Sequence, residues 1–216
     1  MSEKQLYFLT QNKVLIMSIT EEIRSKVRRA HLGEPFTNER FLKLGSRPAV
    51  DKAMSRLVLE GAIKRVSRGV FVRPKTSPFI GQVMPDVNQV VETIAKSHGE
   101  VIQVHGSVAA SRFKISTQVP TKPVYYTSGS TREISVGHLK VKLMHTSSRR
   151  KLQFAGKKVG LALTALWYLG EPQVSFENIE KIRQGLGIKE FNQLLSASMP
   201  AWMSSALRSY QERAVA

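Results

Sequence analysis

The chain reads as an α+β protein of two domains: an N-terminal winged helix-turn-helix, then a mixed α/β domain. Three observations predict this. The segment Ser46 to Pro74, SRPAVDKAMSRLVLEGAIKRVSRGVFVRP, has the shape of one amphipathic helix, a glycine, and two short strands around a basic turn. A Pro/Gly-rich stretch, KTSPFIGQVMPD, interrupts the pattern from Lys75 on. Beyond it, short β-branched and aromatic runs alternate with helical patterns, which predicts a small mixed sheet covered by helices. The expected division is an extension over 1–16, a winged-helix domain over 17–76, a linker over 77–85 and a second domain over 86–216.

In the first domain, Ser18 is placed to cap a helix. Glu21 and Glu22 lie in its first turn and Arg28 and Arg29 at its end, as the helix dipole favours. Ile19, Ile23, Val27 and Ala30 share one face. Gly33 and Pro35 break it, and Thr37 then caps a short second helix carrying Phe41, Leu42 and Leu44 up to Gly45. Ser46 caps a third helix, with Pro48 tolerated in the first turn. Its core stripe is Val50, Ala53, Met54, Leu57 and Val58, and Gly61 ends it. A hairpin comes next, with Ser67-Arg68-Gly69 at its tip. Leu6, Tyr7, Phe8, Val14, Leu15 and Ile16 in the extension show no clean period.

In the second domain, Asp86 caps a helix with Val87, Val90, Val91, Ile94 and Ala95 on one face, ended by Gly99. Strands are expected at 101–104, 123–127, 134–136 and 139–144, the last two joined at Gly137-His138. A small helix runs from Val108 to Phe113. Val159 to Tyr168 is apolar throughout and forms the buried centre. Ser175 opens a further helix, and Phe191, Leu194, Leu195, Trp202 and Leu207 predict a closing helical pair.

Charge narrows the partners. The chain has 33 Lys+Arg against 16 Asp+Glu, a net charge of +17. Residues 1–75 hold 16 basic and 7 acidic side chains, and residues 101–160 hold 11 against 1. Residues 76–100 and 161–216 are close to neutral. Two separate basic fields point to a polyanion. No apolar run approaches the ~18 residues that span a bilayer, so no membrane is expected and the protein is read as cytoplasmic.

On the third helix, Arg47, Lys52, Ser55 and Arg56 face away from the core stripe. A major groove admits one α-helix, and arginine donates bidentately to guanine. These four residues are therefore candidates for base or phosphate contacts with double-stranded DNA. Arg68 at the hairpin tip, with Lys64, Arg65 and Arg73, would meet the backbone or the minor groove. Such helices also serve protein–protein contacts, with the charges merely solvated. In the second field Lys140 and Lys142 alternate on one strand and so share a face. Arg149, Arg150 and Lys151 form the densest run, read either as a surface for a polyanion or an acidic protein or as a solvated loop.

The chemistry-bearing residues argue against an enzyme. The chain has no cysteine. His31, His98, His105, His138 and His145 show no metal-ligand spacing, so no metal or cofactor is expected. Gly185-Leu-Gly187 lacks the third glycine and the strand of a dinucleotide loop. Glu133 is the one carboxylate between 101 and 160, too few for a carboxylate pair or a magnesium site. His105 beside Ser107 has the makings of a nucleophile pair, but a histidine hydrogen-bonding at a strand end is the stronger expectation.

The runs Gly45–Gly61 and Ile63–Phe71, then Ile102-Gln-Val-His-Gly106, Ile115-Ser-Thr-Gln-Val-Pro120, Tyr125-Tyr-Thr-Ser-Gly129 and Ala165-Leu-Trp-Tyr-Leu169, stand in an order that resembles the AbiEi-type antitoxins of type IV toxin–antitoxin systems. The resemblance covers about residues 17 to 205 and rests on the order of the motifs, none being diagnostic alone. It implies a repressor that binds inverted repeats in its own promoter through the winged helix. It also implies that the second domain counters a nucleotidyltransferase-like toxin, without a stable complex being required. Carried over, Arg47, Lys52, Ser55, Arg56 and Arg68 become operator-contacting candidates. The extension before Met17 departs from the family pattern. A plain winged-helix regulator with a ligand- or RNA-binding second domain is the alternative.

Overall fold

The computed structural model describes residues 18–79, 81–117 and 122–215. The expected extension over 1–16, Met17 and the end of the Ile115–Pro120 motif lie outside them. The fold is mixed α and β. Two compact units divide the chain, Met1–Ile94 and Ala95–Ala216.

The first unit opens with α1, Ile19–Arg28. Ser18 caps it as expected, its hydroxyl accepting from the Glu21 amide at 3.3 Å. Ile23 and Val27 are buried. Arg24 pairs with Glu21 in the same helix and with Glu60 beyond the end of the third.

The segment Pro35–Thr37, expected to be a break, is a strand, β1. With three residues and a proline at its head it has no alternation to read; its partner lies more than thirty residues on. The next helix, Asn38–Leu44, is 3₁₀, and Thr37 makes no capping bond to it. A Cβ on Gly45 would lie 2.6 Å from Ile19 Cδ1, the far end of a side chain that would have to turn aside.

Helix α2, Arg47–Leu59, buries Val50, Ala53, Met54 and Leu57, with Val58 only partly covered. Ser46 holds the N-cap position without a side-chain bond. Strands β2, Lys64–Ser67, and β3, Val70–Val72, then pair antiparallel across an Arg68-Gly69 turn in which Gly69 has φ +73°. The sheet order is β1-β3-β2. Phe36, Phe41 and Phe71 pack with the helix stripes into one core.

Part of the stretch expected as a linker is ordered into a hairpin. Strands β4, Lys75–Ser77, and β5, Gly81–Val83, pair antiparallel. Helix α3, Val87–Ser97, comes after it, its start held by Asp86, whose carboxylate accepts from the Asn88 amide at 2.6 Å.

The second unit is built on a four-stranded sheet of β6, Ile102–Val104; β7, Val124–Thr127; β8, Arg132–Val136; and β9, Leu139–His145, in the order β6-β7-β9-β8. β7 runs parallel to β9 and antiparallel to β6, so the sheet is mixed as expected. Helix α4, Gly106–Arg112, lies on α5, Lys158–Leu169, the apolar helix at the centre of this unit. Gly106 allows this approach: a Cβ there would sit 2.3 Å from Tyr168 Cβ and 2.7 Å from the Thr164 carbonyl oxygen. Helices α6, Phe176–Leu186, α7, Ile188–Leu195, and α8, Ala201–Val215, complete the core.

An ion pair ties the sheet edges together. Arg132 donates from both terminal nitrogens to Glu100 at 2.8 and 2.9 Å, and the Thr127 hydroxyl donates to the same carboxylate at 3.0 Å. Gly129 makes room, since a Cβ there would lie 2.2 Å from Glu100 Cδ. Burial alone would raise the Glu100 carboxyl; the bonds from Arg132 and Thr127 outweigh it and hold it below the ordinary carboxylate range. Among the described residues no helix is long and apolar enough to cross a membrane.

Candidate nucleic-acid interfaces

The first candidate surface is the outer face of α2. The 3.6-residue period that buries Val50, Ala53, Met54 and Leu57 turns Arg47, Lys52, Ser55 and Arg56 outward, and all four are exposed. Arg47 is 3.6 Å from Asp51, a loose and solvated pair. Ser55 donates its hydroxyl to the Asp51 carbonyl at 2.9 Å, which leaves its oxygen as an acceptor. Lys52 and Arg56 are held by no described residue. Asp51, the one acidic residue on this face, is also engaged by the Asn38 side-chain amide.

The hairpin side chains differ from one another in what they touch. Arg68 stands exposed in the turn itself. Arg65 lies opposite Phe71 in the register, with its guanidinium 5.3 Å from the centre of that ring, so its apolar stem covers the core while its charge faces water. A register shift between Arg65 and Ser67 adds local twist ahead of the turn. Lys64 donates to the Gln82 side chain of β5 at 2.7 Å.

Arg73 is used inside the fold. Its Nη1 donates to the carbonyl oxygens of Arg28 at 2.8 Å and Ala30 at 3.2 Å, the unsatisfied acceptors at the end of α1. A nucleic-acid role predicted from its charge competes with this cap. Nothing in the local sequence carries that signal, because the bond spans more than forty residues.

The second surface is one face of the four-stranded sheet. Register puts Val124, Lys142 and Glu133 in a row across β7, β9 and β8. Lys140 lies opposite Ser135 and donates to its hydroxyl at 3.0 Å. Tyr125, Val136, Val141 and Leu143, on the alternate positions, are buried, while Glu133, Ser135, Lys140 and Lys142 are exposed. Lys140 and Lys142 thus share the face that strand alternation predicts. They line a groove of about 470 Å³ with Lys122, Val124, Thr131, Arg132 and Glu133. Strand alternation pairs the two β9 lysines; it has no way to place Lys122 beside them, because that residue comes from just before β7.

The basic run separates on folding. Arg149 and Arg150 are exposed, but Lys151 is half-buried, its ammonium 5.4 Å from the centre of the Tyr126 ring and 5.3 Å from that of Trp167. Tyr126 lies on the same sheet face as Val124, two residues along β7. The His105 ring is 5.0 Å from Tyr126 and 6.1 Å from Tyr168.

His105 is the N-cap of α4. Its Nδ1 accepts from the Ser107 amide at 3.4 Å and lies 3.0 Å from the Ser107 hydroxyl. Burial, and then the nearby Lys151 charge, lower its pKa and favour the neutral ring. The strand-end histidine expected from the sequence is therefore a helix cap in contact with its own serine. Among the described residues no group of three His, Asp or Glu side chains could hold a metal ion.

No curated protein matches this chain. A family model does, over residues 19–194, which takes in both surfaces and most of both units. The chain therefore belongs to the family described as a family of unknown function, DUF6088.

Proposed function

We propose that this chain is a DNA-binding repressor and antitoxin: its first unit a winged helix that recognises inverted repeats in its own promoter, its second unit an antagonist of a nucleotidyltransferase-like toxin. It acts in the cytoplasm, without catalysis and without a cofactor. The observation that carries the reading is the pairing of an outward basic row on α2 with the exposed Arg68 turn beyond it. The order helix, strand, 3₁₀ helix, helix, hairpin, with the first strand joined to the last, supports the winged-helix assignment. Arg47, Lys52 and Arg56 are the candidate groove residues, and Arg65 and Arg68 the candidate backbone contacts. The motif order resembling AbiEi-type antitoxins supports the antitoxin role.

The test is binding of the purified full chain to its own upstream DNA and to a scrambled duplex across a salt series. At a charge of +17, both duplexes bind at low salt. Tight binding to the native sequence alone at ~0.15–0.2 M salt is the expected result. Equal and steeply salt-sensitive binding to both would remove the repressor reading. Arg56→Ala with Arg68→Ala should lose operator binding yet still rescue growth from the co-expressed toxin; loss of rescue would end the division of labour.

A further inference from the structure

We infer that the open face of the four-stranded sheet in the second unit binds single-stranded RNA. The face combines the two elements that such binding needs, a phosphate track and a set of flat rings beside it. The track is the groove of Lys122, Lys140 and Lys142. Lys122 and Lys142 are held by no described carboxylate, and Lys140 makes a loose pair with Glu133 at 3.8 Å. The rings begin two residues along β7, about 7 Å further on. There Tyr126, His105 and the exposed Tyr168 cluster, with Lys151 held over Tyr126 by its π face. Lys151 is half-buried between Tyr126 and Trp167, so the phosphate track rests on Lys122, Lys140 and Lys142.

The shape favours a single strand. A duplex keeps its base faces stacked inside and presents only edges and phosphates, so it would leave the rings here with nothing to stack on. Unstacked bases can lie on rings; paired ones cannot. Glu133 then has a use. A carboxylate among lysines repels phosphate, but it accepts a hydrogen bond from a ribose 2′-hydroxyl, and the Ser135 hydroxyl stands beside it. An acidic protein partner would meet the same repulsion and gain little from the rings. The inference uses the second unit alone and stands whether or not the first reads an operator.

The experiment measures anisotropy of a short labelled mixed-sequence RNA, and of the DNA strand of the same sequence, with the full-length chain. Excess unlabelled duplex at ~0.15–0.2 M salt competes away binding that rests on charge alone. RNA should bind more tightly than the DNA strand. Lys142→Ala and Tyr126→Leu should each weaken RNA binding about tenfold or more, with duplex binding unchanged. Arg56→Ala with Arg68→Ala should do the reverse. RNA affinity indifferent to Lys142 and Tyr126, or abolished only with Arg56 and Arg68, would overturn the inference; equal affinity for the DNA strand would overturn the choice of RNA. Should Tyr126→Leu fail to fold, the exposed pair Lys122→Glu and Lys142→Glu decides, and unchanged RNA affinity in that pair would end the inference.

Discussion

Replacing Arg73 by alanine should separate charge that holds the fold from charge that meets nucleic acid. The guanidinium bridges the carbonyls of Arg28 and Ala30 at 2.8 and 3.2 Å, closing α1 from a site beyond the end of β3. A hydrogen bond to a charged group contributes about 1.5–3 kcal/mol. The second contact is longer, and water can replace part of both at this half-buried site, so the total stays within that range. For a chain of this size each kcal/mol moves the melting temperature by about 2–4 °C, which gives a loss of roughly 3–12 °C. Thermal unfolding followed by circular dichroism measures it. Arg73→Lys should recover part of the loss, since one ammonium can reach one carbonyl. Operator affinity measured well below the transition should stay near the parent value. A variant that melts like the parent but binds DNA as poorly as Arg68→Ala would refute the reasoning and return Arg73 to the interface.

Arg68→Ala and Arg56→Ala should leave the melting temperature unchanged, and each phosphate interaction removed should lower the salt slope of operator binding by about 1. Gly106→Ala should destabilise by ~1–3 kcal/mol or more, because the added methyl meets backbone and the Tyr168 stem rather than a mobile side-chain end; a neutral effect in a melt would contradict the packing. His105 has a folded pKa below its ordinary value, so its contribution to stability is full above about pH 6.5 and falls away as pH drops toward the folded pKa. His105→Asn keeps a cap acceptor and should remove that part of the pH dependence, as stability curves across pH would record. Glu100 has a lowered folded pKa, so its share of stability is present above about pH 4.5 and is lost on acidification; Glu100→Gln should flatten that acid limb and leave Arg132 without its partner.

Much of the fold is legible in the sequence because local rules coincide with the outcome. Ser18 capping, the stripe of α2 and the Gly137 turn follow from short-range geometry. The helix period alone is enough to turn Arg47, Lys52 and Arg56 outward. β1 and the β4–β5 hairpin are not legible. β4 and β5 pair with each other across a short turn, but three residues apiece carry no alternation to read; β1 takes a partner more than thirty residues on, which a window of sequence does not contain. The same holds for the site. Arg73 and Arg68 look alike in sequence, five residues apart on one hairpin. One is spent on α1 and the other is exposed.

By itself, the sequence determined the α+β class, the two basic fields, the lack of thiol chemistry and the faces of the long helices, since composition and periodicity are properties of the chain. Only the tertiary structure decided which charges remain available. Lys151 lies over Tyr126 and Trp167 while Arg149 and Arg150 stay in water. Lys122 joins Lys140 and Lys142 because β7 runs parallel to β9. A charge is spent or free according to what long-range pairing brings within a few ångströms of it. Neighbours along the chain do not decide that distance.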